Sequence, residues 1–207
     1  MKKYIWLNPV VLQMYDYEEL QTALASLDFQ IVTCKENHLQ TVKDKYKKKY
    51  EGCSRLLCDN RCPKAMSYVK NHYHHADLEY ATIQPILIHS AKELATRYQN
   101  DPVELYIITP CTDLRDVGNQ LALKNTVFQT WTEFCRKHNI TLNRKAMDVS
   151  PIPPGFFDNI PQVVSLASKE EMDDFFQEPR KQDKQLIEML YCQGGCHNGD
   201  GVRIDNA

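Results

Sequence analysis

Four of the seven glycines in this 207-residue chain fall between positions 194 and 201. They sit inside the run Cys192-Gln193-Gly194-Gly195-Cys196-His197-Asn198-Gly199-Asp200-Gly201. Glycine loses more backbone freedom on folding than any other residue. Such a cluster therefore implies unusual dihedrals or very close approach of the backbone to something else. Two thiols in the same run make a soft metal centre the natural object of that approach. An iron–sulfur cluster fits, because thiolates hold its irons and its sulfides take N–H donors from backbone that only small residues let near. Structural zinc would accept four thiolates as well, but it does not need the glycines. The plain alternative is a glycine-rich turn with two incidental thiols.

The rest of the chain alternates short apolar runs with amphipathic stretches, the pattern of an α/β protein with mostly parallel pairing. Strands are expected at Tyr4 to Val11, Phe29 to Thr33, Glu104 to Thr109, Thr126 to Gln129 and Val163 to Leu166. Helices are expected at Tyr17 to Leu27, Val42 to Tyr50, Pro63 to Val69, within Ile83 to Tyr98, at Trp131 to His138 and near Lys169 to Phe176. Pro63 suits a first helical position. Thr130 with Glu133 three residues later forms a capping box. Ser150 to Phe157, SPIPPGFF, holds three of the ten prolines and reads as a stiff loop. The segment Gln185 to Tyr191 leads into the final cysteine motif.

Length allows one large domain or two small lobes. The balance of 25 basic and 27 acidic residues gives a formal charge of -2, with none of the basic excess of a nucleic-acid binder. No apolar run approaches the roughly 18 residues of a membrane span. The start has a faint signal-peptide look, but Asn8 and Pro9 interrupt it, so it reads as a first strand. The eight cysteines are then expected to be reduced in the cytoplasm and used for metal or redox work.

Cys111 follows an apolar strand, the place where parallel sheets put ligand groups. Alone, it reads equally as a small buried hydrophobe. Cys53-x4-Cys58-x3-Cys62 matches neither the ferredoxin run nor a paired CxxC zinc ribbon. Cys34 and Cys135 read as core residues.

Three segments together carry a family resemblance. Asn60-Arg61-Cys62-Pro63-Lys64-Ala65-Met66-Ser67-Tyr68 resembles the first cysteine motif of the iron-only hydrogenase cluster domain. Tyr106-Ile107-Ile108-Thr109-Pro110-Cys111-Thr112 resembles its second motif. Ile187-Glu188-Met189-Leu190-Tyr191-Cys192-Gln193-Gly194-Gly195-Cys196-His197-Asn198-Gly199 is similar to its third. The order agrees, and the likeness spans most of residues 55 to 201.

The resemblance implies a single two-lobed α/β domain over 1–207, with mostly parallel sheets, flanking helices and a four-iron four-sulfur (4Fe-4S) cluster in the cleft. The lobes would run 1–80 with 185–201, and 81–184. Cys62, Cys111, Cys192 and Cys196 would be the cluster ligands, with Gly194, Gly195 and His197 around it. Four departures concern the family's second, two-iron unit. Its proton-relay cysteine stands here as Arg61, and the lysine holding its cyanides as Leu114. A carboxylate is replaced by Val117, with Arg115 and Asp116 nearby, and a methionine by Leu190. The cubane ligands remain while contacts to the two-iron unit are gone, so a competent hydrogenase is not expected.

The function so implied is that of a cytoplasmic hydrogenase-like iron–sulfur protein exchanging electrons with a partner redox enzyme or an acidic carrier such as a ferredoxin or flavodoxin. Neither nucleic acid nor membrane is expected as a partner. Two alternatives stay open. One is an oxidoreductase that reduces a small substrate at the cluster near Arg61, Arg115 and His197; the other is an iron or redox sensor. Lys43, Lys45, Lys47, Lys48 and Lys49 form a basic face, either a solvated helix surface or the dock for such a carrier. His72, His74 and His75 read as a polar turn, with metal binding the alternative.

Overall fold

The computed structural model describes residues 1–178 and 185–203. In chain order the elements are β1 (Lys2–Trp6), α1 (Pro9–Met14), α2 (Tyr17–Ala25), β2 (Phe29–Ile31), α3 (His38–Glu51), β3 (Leu56–Cys58) and α4 (Pro63–His72). There follow β4 (Leu78–Tyr80), α5 (Ile86–Arg97), β5 (Val103–Thr109), α6 (Thr112–Gln120), β6 (Thr126–Thr130) and α7 (Trp131–His138). Last come β7 (Val163–Leu166), α8 (Lys169–Gln177), β8 (Leu186–Met189) and a short 3-10 turn at Cys196–Asn198.

The chain divides into two compact units. The first contains 1–36, 87–152 and 196–207; the second contains 37–86 and 153–195. The lobes expected from the resemblance run differently, and their boundary at 184 lies outside the described residues. The pairing of β1 gives the physical reason. It lies between β2 and β5, so residues 1–36 belong with the segment after 87.

The first unit holds a four-stranded sheet in the order β2-β1-β5-β6, with every pair parallel. Both faces are covered, as all-parallel sheets require. Tyr106 and Ile108 point into one buried group with Ile5, Trp131 and Phe134. Leu105 and Ile107 point into the other with Ile88, Leu94 and Phe128. The expected strand through Val11 stops at Trp6, because Asn8 accepts from the amides of Val10 and Val11 and starts α1 at Pro9. The capping box at Thr130 and Glu133 is formed. Residue 118 must be glycine. A Cβ there would lie 2.2 to 2.5 Å from the buried Phe128 ring. A helical Gly→Ala change ordinarily gains about 1 kcal/mol, and overpacking costs about 1–3. Gly118→Ala is therefore expected to lower the urea midpoint, and a raised midpoint would mean that Phe128 steps aside.

The second unit holds a parallel sheet in the order β4-β3-β8-β7. Leu56, Cys58, Ile187 and Met189 face one buried group and Leu57 and Leu186 the other. Two short strands were not expected: β3 lies within the cysteine-rich stretch Cys53 to Cys62, and β4 lies beyond the His72 to His75 turn. Helix α3 buries Val42, Tyr46 and Tyr50, one per turn, and sends its lysines outward. No helix among the described residues is long and apolar enough to cross a membrane.

Candidate metal centre

The four cysteines of the three motifs are divided equally between the units. In the second unit, Cys62 and Cys192 follow the C-terminal ends of β3 and β8, which are neighbours in the sheet. Cys62 caps α4 in position but makes no side-chain capping bond, and Pro63 occupies the first turn. Cys62 and Tyr191 pack against the same buried group. After Cys192 the backbone turns through left-handed dihedrals, φ 71° at Gly194 and 124° at Gly195. Side chains there would be strained. The amides of these glycines donate to Ala167 O and Cys192 O, at 3.2 and 3.1 Å.

In the first unit, Cys111 follows β5, and its sulfur accepts from the Leu114 amide at 3.5 Å. The residues after Cys196 dock on this strand end. A Cβ on Gly199 would come within 2.7 Å of Pro110 O, 3.1 Å of Cys196 O and 3.6 Å of Cys111 Cβ. One on Gly201 would meet Thr130 Cβ at 2.9 Å and the Cys111 nitrogen at 3.0 Å. Gly201 O accepts from the Thr132 amide at 3.0 Å, and Asp200 accepts from the Thr112 amide and hydroxyl. These two glycines thus answer to close packing within the protein. Cys111 and Cys196 flank the same glycine as a result.

His197 is buried, and its amide donates to Ser150 Oγ. Its Nδ1 meets no hydrogen-bond partner among the described residues. Burial, then the Arg203 charge, lowers its pKa.

The other four thiols serve different ends. Cys58 is wholly buried in β3, and Cys53 donates to Glu79 Oε2 at 3.3 Å. Cys34 donates to Ser90 O, and burial pushes the Cys135 thiol up to about 12. His72 and His75 hydrogen-bond the carbonyls of Tyr68 and Phe176, which agrees with a polar turn. Of the five lysines, Lys43 pairs with Asp158 at 2.5 Å and Lys49 with Glu79, whereas Lys47 and Lys48 are exposed.

Sequence reasoning missed an ion network beside Cys62. Arg61 is 8% exposed and bridges Asp59 and Glu188, both at 0%. Glu188 also accepts from the amides of Gly155 and Phe156 and from Ser165 Oγ. Burial alone would raise its pKa, but Arg61, Ser165 and the Gly155 amide outweigh that and lower it. The signal in the sequence was a lone carboxylate inside the apolar run LIEML. Arg115, the other arginine considered for substrate, pairs with Asp116 and Glu133.

No family model matches the chain, and no curated protein matches it.

Proposed function

We propose that Cys62, Cys111, Cys192 and Cys196 hold a four-iron four-sulfur cluster, and that the protein exchanges single electrons with a partner in the cytoplasm. The observation that carries this reading is that Cys62 and Cys192 follow two adjacent strand ends, while Cys111 and Cys196 flank Gly199 at the end of β5. The donor set is soft and entirely sulfur, which suits iron–sulfur centres. When bound, the cluster would supply one-electron redox chemistry at a potential set by burial and hydrogen bonding. An anionic substrate would need unpaired cations, and Arg61 and Arg115 are already paired, which favours electron transfer over substrate reduction.

Anaerobically purified protein is expected to carry four irons and four sulfides per chain. Alanine at any of the four positions should sharply reduce both, while Cys34→Ala and Cys135→Ala should leave them unchanged. Zinc without sulfide would replace the cluster with a structural site. Dependence on Cys53 and Cys58 instead of Cys192 would require a different ligand set.

The exposed lysines of α3 support an acidic carrier, a ferredoxin or flavodoxin, as the partner. Charge reversal at Lys47 and Lys48 should slow reduction by such a carrier at low salt. The difference should fade near 0.1 M, where screening reaches about 10 Å. Equal rates at low salt would leave α3 a solvated face.

A further inference from the structure

We infer that Arg61 is a positioning residue for Cys62, fixing the loop that presents this thiol to its metal. The inference rests on the ligand set proposed above, yet its geometry lies wholly within the second unit. Three residues separate Cys58, at the end of β3, from Cys62, and each is tied down. The Asp59 amide donates to Ile187 O at 2.9 Å, continuing the β3–β8 ladder. The Asn60 amide donates to the Tyr46 hydroxyl at 2.9 Å. Arg61 donates to Asp59 from its amide at 2.9 Å, and again from Nε at 3.0 and 3.2 Å.

The guanidinium extends this hold to two further segments. Its Nη2 reaches Glu188 of β8 at 2.6 Å. Its Cζ lies 3.9 Å from the Phe156 ring centroid and 4.5 Å from that of Phe157. Burial and the Asp59 carboxylate push the Tyr46 phenol well above its ordinary value, so it remains a neutral anchor. Beyond Cys62 the chain enters α4 at once through Pro63. A thiol held from both sides reaches its metal with little left to order, which is how groups behind a ligand raise affinity. The geometry demands a fork that pairs with two carboxylates while its central carbon rests against two rings set nearly perpendicular to each other. Lysine supplies the charge without the fork.

Arg61→Lys is therefore the informative variant, since it keeps the buried charge balanced. A second variant, Arg61→Met with Asp59→Asn and Glu188→Gln, removes the charges together and guards against failure to fold. Arg55→Ala is the control: it removes an arginine–carboxylate pair, Arg55 with Glu79, at the opposite end of β3 from Cys62.

In metal-free protein, amide exchange over residues 60–66 should quicken by about tenfold in both Arg61 variants and stay unchanged in the control. In iron-loaded protein, release of iron to a chelator under argon should accelerate by a similar factor. The g-values of the reduced protein should also shift in Arg61→Lys but not in Arg55→Ala. Unchanged exchange over 60–66 would overturn the inference whatever the metal analysis shows. Unchanged iron release and g-values in loaded Arg61→Lys would overturn it too. Failure of the wild-type chain to bind iron and sulfide would sink the cluster reading alone, leaving the exchange result to decide the role of Arg61.

Discussion

Glu188→Ala is expected to unfold the second unit, or nearly so, while the first remains intact. The wild-type carboxylate is wholly buried and meets Arg61, Ser165 and two backbone amides. Its removal leaves those donors in the dry interior. Breaking a buried pair in this way costs about 3–5 kcal/mol, against a typical domain stability of about 5–15. Both tryptophans, Trp6 and Trp131, belong to the first unit, so their fluorescence should barely move. Amide exchange across β3 and β8 should quicken at the same time. Protection equal to the parent in those strands would remove the network from the account. The pH dependence has a definite sign. Because folding lowers the Glu188 pKa, its contribution is present above the unfolded-state value of about 4.3. It is lost as the pH falls from there through the lower folded value.

Gly201→Ala should weaken the proposed cluster site through the first unit. A methyl group at this position would press on Thr130 Cβ at 2.9 Å and on backbone atoms of Pro110 and Cys111 at 3.0 Å. Backbone cannot step aside as a flexible side chain can. The turn carrying Cys196 must therefore lift from the β5 end. Iron affinity is expected to fall by about tenfold or more, the usual cost of disturbing groups behind a ligand. Gly52→Ala is the matched control, because a Cβ there meets nothing closer than 3.8 Å. Equal iron content in both variants would mean that the turn accommodates the methyl without moving Cys196.

The α/β class was legible from the alternation of short apolar runs with amphipathic stretches. β5 stood out because Leu105 to Ile108 are apolar on successive residues, the mark of a strand buried on both faces. The helix at Trp131 was legible from its cap alone. β3 and β4, at three residues each, are too short to set up a period, and their pairing with β8 and β3 is non-local. Which stretches of chain share a unit was hidden for the same reason: β1 finds its partner β5 about a hundred residues on. The glycines stood out in the sequence, but the object they approach did not. Gly199 and Gly201 close on the protein's own backbone, and Gly194 and Gly195 turn the chain. In the sequence Arg61 stands only in place of a proton-relay cysteine and near a candidate substrate, since a sequence cannot show that Asp59 and Glu188 converge on it.

The pairing of β1 with β5 also sets an order of events during synthesis. At about 5–20 residues per second, β5 emerges roughly 5–20 s after β1. Throughout that interval β1 has only the short β2 to pair with, and its β5 edge stays open. Val202 belongs to the same buried group, so the first unit cannot close until its last stretch has been translated. Cys196 is the last of the four thiols to be made. A cluster held by the four proposed thiols could therefore be assembled only after residue 196 has been made, whereas the open edge of β1 waits only for β5.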